Sequence, residues 1–207
     1  MISYFRWALL WTLATGLTAC SAEAPDQEPV TQPELLDQPT GDKPESSAVA
    51  ESVMALDGEG LRLVNGDTGS TSLLSFGASR AAVEQAVAEH LGAAEGRSSN
   101  DECGAGAMDF TSYGEFIANF QDDRFVGWDL RERNKNKVLT TINGIGIGTK
   151  RSEMAESMVF DMYDDSTIGI EFYTSGDGPG GFSGLFESEE PDARITNLWA
   201  GTNCIFR

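Results

Sequence analysis

The 207-residue chain carries 14 Lys and Arg against 33 Asp and Glu, a formal charge of −19. That balance excludes a nucleic-acid binder, because phosphate backbones are held by clustered cationic side chains that release counterions. One histidine, His90, excludes a His-rich zinc or iron site, and the acidic surplus favours basic partners or divalent cations.

The chain opens with one basic residue, Arg6, and an apolar run from Trp7 to about Leu17. This run is shorter than the ~20 residues a membrane-spanning helix needs, so it reads as a removable leader. It leads into Leu17-Thr18-Ala19-Cys20. This tetrapeptide resembles the lipobox of bacterial lipoproteins. The resemblance implies loss of residues 1–19, diacylglycerol on the Cys20 thiol and acylation of the new amino terminus. Ser21, where Asp would act as a retention signal, implies by the same resemblance an outer-membrane lipoprotein facing the periplasm. Residues 20–50 hold five of the seven prolines (Pro25, Pro29, Pro33, Pro39 and Pro44) among Glu, Asp, Gln and Ser. They cannot build a core and read as an acidic tether spanning roughly 30 Å. Pro33-Glu34-Leu35-Leu36 is alternatively a short docking motif.

Residues 51–207 are long enough for a single domain with its own core. Runs at 53–56 and 61–64 flank Asp57-Gly58-Glu59-Gly60, a hairpin signal. An internal comparison follows. Leu74-Ser75-Phe76-Gly77 and the segment to Val87 align with Ile145-Gly146-Ile147-Gly148 and the segment to Met158, with Gly and Arg at matching places. Each copy predicts a short apolar lead-in, a glycine and an amphipathic helix. Ser79 caps the first helix, Val83, Val87 and Leu91 share one face, and Gly92 ends it. Alternating runs then predict strands at 107–111, 115–121 and 124–130, the last two joined across Asp122-Asp123. After the second helix they predict strands at 159–163, 167–173, 181–187 and 194–199, with a glycine-rich loop, Ser175-Gly176-Asp177-Gly178-Pro179-Gly180. The expected fold class is α+β. Two tandem helix-plus-antiparallel-sheet repeats, about 70–135 and 141–207, pack as one domain with helices on one face of an extended sheet.

With Gly77-Ala78-Ser79-Arg80-Ala81-Ala82-Val83 at the start of the first helix, the arrangement resembles β-lactamase inhibitory protein. Each unit is similar to the small BamE/SmpA lipoproteins of the outer-membrane assembly machinery. The second copy departs from the pattern, with Lys150 in the place of Ser79 and Thr149 as the alternative cap. The resemblance implies a binding scaffold whose uncovered sheet face and loops hold a partner protein. No inhibitory contact residue carries over.

In an oxidising compartment Cys103 and Cys204 form an even pair and predict a disulfide, with two free buried thiols as the alternative. Catalytic chemistry finds no motif. Gly181-Phe182-Ser183-Gly184 lacks the second glycine of a nucleophile elbow, and Gly144-Ile145-Gly146-Ile147-Gly148-Thr149-Lys150 matches neither phosphate-loop pattern. Asp122/Asp123 and Asp164/Asp165 sit at expected turns. A carboxylate hydrolase, or calcium at Asp161, Asp164 and Asp165 or at Asp177, are the alternatives. Phe116 and Trp128 in one copy, and Phe182 and Trp199 in the other, are the binding candidates, since large aromatics on a wet sheet face serve as interface anchors. The function expected is therefore a non-catalytic envelope lipoprotein, anchored to the membrane by lipid, that binds an envelope protein and needs no cofactor or metal.

Overall fold

A computed structural model describes residues 52–131, 139–174 and 180–206. The leader, Cys20, the tether with its Pro33-Glu34-Leu35-Leu36 segment, and Asp177 lie outside the described residues. Strands β1 (Ser52–Asp57) and β2 (Gly60–Asn65) form the expected hairpin, and β3 (Thr71–Ser75) adds to β2. The Asp57 carboxylate fixes the turn by accepting the Glu59 N–H at 2.9 Å and pairing with Arg62 at 2.6 Å.

Helix α1 (Arg80–Leu91) follows. Ser79 Oγ accepts the Ala82 N–H at 3.3 Å, and Gly92 closes the helix at a φ of 92°, a value a side chain disfavours. Strands β4 (Gly96–Asn100), β5 (Met108–Tyr113), β6 (Phe116–Gln121) and β7 (Arg124–Arg131) then run as a meander. Asp122 and Asp123, both at positive φ, make the β6–β7 turn, the geometry a two-residue hairpin requires. Helix α2 (Arg151–Ser157) has Lys150 at its N-cap. The Lys150 N–H donates to Glu153, while Thr149 Oγ1 is spent on the Gly146 N–H. Strands β8 (Asp161–Met162), β9 (Ile170–Tyr173), β10 (Ser183–Phe186) and β11 (Ile195–Gly201) complete the fold.

All eight strands from β4 onward form one antiparallel sheet in the order β4-β5-β6-β7-β11-β10-β9-β8. The expected α+β architecture, helix-plus-sheet repeats with helices on one face, is overturned. Among the described residues the protein is mostly β, 45% strand against 13% helix, with two short helices and two sheets. The physical reason lies in what the helices bury. Only Val83 and Val87 of α1 and Met154 of α2 are fully covered, too little apolar surface to roof eight strands. The three-stranded sheet does much of that work. Its Met54, Leu56 and Leu61 enter the same core as Phe116, Phe120, Phe125, Trp128 and Leu130 of the large sheet. Trp128 Nε1–H donates to the Asp57 carbonyl at 2.9 Å, joining the two sheets.

Phe172, Phe186 and Phe182 extend the core towards β8, with the Phe172 and Phe186 rings 4.5 Å apart. Gly184 admits this packing, because a Cβ there would stand 2.6 Å from the Phe172 ring. At its two ends the large sheet is finished by β8, two residues long, and by β4, whose Gly-Arg-Ser-Ser is exposed.

Candidate functional site

Side chains alternate across a strand, so the core residues of β6, β7 and β11 leave every second position on the opposite face. Ala118, Trp128, Leu130, Leu198 and Ala200 point into the core. Ile117, Asn119, Asp129 and Trp199 belong to the other face, with Trp199 directly opposite Asp129 in the β7–β11 pairing.

The chain beyond β11 turns onto this second face and crosses it as a strap, residues 202–206. The Thr202 N–H donates to Val126 O at 2.7 Å. Gly127 is required beneath the turn, since a Cβ there would lie 2.2 Å from Thr202 O. Further along, Asn119 Nδ2 donates to Asn203 Oδ1 at 2.6 Å, and Asn100 Nδ2 approaches Cys204 Sγ at 3.5 Å. The sulfurs of Cys103 and Cys204 stand at disulfide distance, 2.07 Å, so the strap is tied to the loop after β4.

Two clefts border the strap. One, of about 300 Å³, is lined by Ser98, Asn100, Phe110, Asp129, Arg131 and Phe206 among others. The second, of about 280 Å³, is lined by Trp199, Ser183, Asn203 and Ile205 among others. Electrostatically the first is the more unusual. Asp129 is only 5% exposed, and its Oδ2 accepts from Asn119 Nδ2 at 2.7 Å. Its Oδ1 has Arg131 no nearer than 3.9 Å. Burial holds the Asp129 carboxyl above the ordinary aspartate value, opposed by the Asn119 hydrogen bond and by Arg131. Asn119 is fully buried, and its Oδ1 has no hydrogen-bond partner among the described residues.

The aromatic candidates are all buried. Trp128 and Phe116 are fully enclosed in the core, and Phe182 is 6% exposed within it. None of these three is a surface anchor, because each sits at the core-facing parity of its segment. Trp199, 8% exposed, lies outside the core cluster and lines the second cleft.

Asn119, Asp129 and the strap were not singled out from the sequence. The available signal was an aspartate inside the apolar run Phe125-Val126-Gly127-Trp128-Asp129-Leu130. A carboxylate at mid-strand demands a polar environment on its own face.

Other polar groups are accounted for structurally. Arg80 bridges Asp109 and Asp123 and lies 4.5 Å over the Phe120 ring, locking α1 to the β6–β7 turn. Glu84 accepts two hydrogen bonds from Arg97, at 3.0 and 2.8 Å, and one from Thr111. The Arg97 bonds hold its carboxyl below the usual glutamate value. His90 is engaged with Ser52 Oγ and the Ala86 carbonyl. A third cleft, of about 470 Å³, is lined by Asp164, Glu189, Arg151 and Tyr163 among others. Among the described residues no three His, Cys, Asp or Glu side chains gather as metal ligands, so Asp161, Asp164 and Asp165 do not converge. No described protein family, curated protein or solved structure matches the chain.

Proposed function

We propose that the protein is a non-catalytic lipoprotein of the bacterial envelope, anchored through Cys20, which binds a partner protein on the strapped face of its large sheet. The observation that carries this reading is the strap itself. A C-terminal segment crosses the sheet face away from the core and is tied down by Cys103 and Cys204. It leaves a cleft on each side, with buried polar groups under one and Trp199 under the other. Phe206, 62% exposed at the rim of the first cleft, is placed to contact a bound chain.

The polar lining and the apolar Phe110, Ile117 and Phe206 beside it suit recognition, in which a few polar groups fix orientation and aromatic surface supplies contact area. The strongly acidic chain favours a basic partner and raises its encounter rate at low salt.

The test is photocrosslinking in intact envelopes with a photoreactive phenylalanine analogue replacing Phe206, or replacing Val53 on the three-stranded sheet as the control. A discrete protein adduct from the Phe206 position and none from Val53 is expected. Equal adducts from both positions, or none from Phe206, overturns the assignment of this face.

A further inference from the structure

We infer that the cleft beside Asp129 receives the ε-ammonium group of a lysine from the partner protein, with Asp129 Oδ1 as its counter-ion. The inference deepens the proposed function and rests on it.

Three observations converge. The carboxylate of Asp129 is buried, yet only one of its oxygens is well satisfied: Oδ2 holds the Asn119 amide at 2.7 Å. Among the described residues its one cationic neighbour, Arg131, remains 3.9 Å away with half its side chain in solvent. A buried carboxylate with one close donor is under-compensated, and an entering cation restores the balance. Asn119, which holds Oδ2, is itself fully buried and does not line the cleft, so it fixes the carboxylate without meeting the ligand. The acidic group lining the cleft is Asp129, and its open oxygen is Oδ1. Above it, Phe110, Ile117 and Phe206 line the same cleft and provide apolar surface for a methylene stem.

The single free oxygen favours lysine over arginine. Only Oδ1 is open, so the two-oxygen grip that a guanidinium prefers is unavailable here, whereas an ammonium is a compact charge with three rotatable donors. Arg131, the neighbouring guanidinium, stays at 3.9 Å from Oδ1, outside hydrogen-bond distance. It competes weakly for the site, so its removal should strengthen binding.

The test uses the full lipidated protein in detergent micelles, with the Asn119 side-chain amide followed by nitrogen-15 NMR. Nα-acetyl-lysine methylamide is the probe, and its Nε-acetylated form is the neutral control. Saturable shifts of the Asn119 amide are expected with the lysine probe, at least ten-fold weaker with the control. Asp129→Asn should abolish them, and Arg131→Gln, an exposed change that leaves the core intact, should tighten binding several-fold. Equal response to both probes, or no saturable shift in the Arg131→Gln protein, overturns the inference. An adduct at Phe206 without lysine binding removes the ammonium site while the partner-binding face stands. Lysine binding without any Phe206 adduct removes the partner, and the inference with it.

Discussion

Asp129 and Glu84 are carboxylates of one small domain with opposite pH signatures. Burial raises the folded-state pKa of Asp129 above its unfolded value, so the folded state holds the proton more tightly. The stability this group contributes is full below the ordinary aspartate value and is lost as pH rises through the raised one. Asp129→Asn should therefore be the more stable protein at neutral pH, with an advantage that shrinks as pH falls towards the ordinary aspartate range. Urea midpoints measured across that range check it, and parallel pH profiles for the two proteins would contradict it. Glu84 runs the other way. Held low by Arg97, it contributes stability above the ordinary glutamate value and loses it as pH falls through the lowered one. The same scale explains why aromatic side chains misled. Strand alternation places Trp128 and Trp199 on opposite faces, but which face is wet depends on tertiary packing that period-two patterns do not encode. Truncating Trp128 removes a fully buried core side chain and its bond to Asp57, so such a variant reports folding, not partner binding.

Among the elements, those with local chemistry were legible. The Asp57–Gly60 turn, the Asp122-Asp123 hairpin and the Ser79-to-Gly92 helix stand where capping and turn residues put them. Elements defined by long-range pairing were not. β4 is Gly-Arg-Ser-Ser-Asn, with no apolar alternation, and exists because β5 supplies its hydrogen-bonding partner. β3 read as a lead-in to the helix because its neighbour β2 is what makes it a strand. The strap carries no secondary-structure signal at all, being held by one backbone hydrogen bond, side-chain amides and one cysteine pair. Its tie closes a long loop, with a separation of 101 residues. The chain-entropy model assigns such a bridge about 4 to 5 kcal/mol. Replacing Cys103 and Cys204 together by Ser should cost up to about that much in denaturant unfolding. A loss below about 1 kcal/mol would mean that the strap is held by its hydrogen bonds alone.

For the whole molecule, the α+β expectation failed because two short helices bury three side chains between them, and a second sheet supplies the missing cover. Counting apolar positions per helix, instead of matching the two copies to each other, points towards the β-rich answer. The proposed lipid anchor at Cys20 is tested at this scale as well. If lipid at Cys20 is the anchor, Cys20→Ala should move the protein from the detergent phase to the aqueous phase in a cloud-point partition. Unchanged partitioning would remove the anchor from the proposed function.

The two ends of the large sheet bear on life at high local density. An open sheet invites a neighbouring copy to continue it through unpaired backbone groups. Here one border is only two residues long and the other is glycine, arginine and serine. Neither end of the large sheet presents a long, flat, greasy template for zipping into fibres with its own kind. Contacts with other molecules are thereby left to faces, where side chains rather than backbone decide who is recognised.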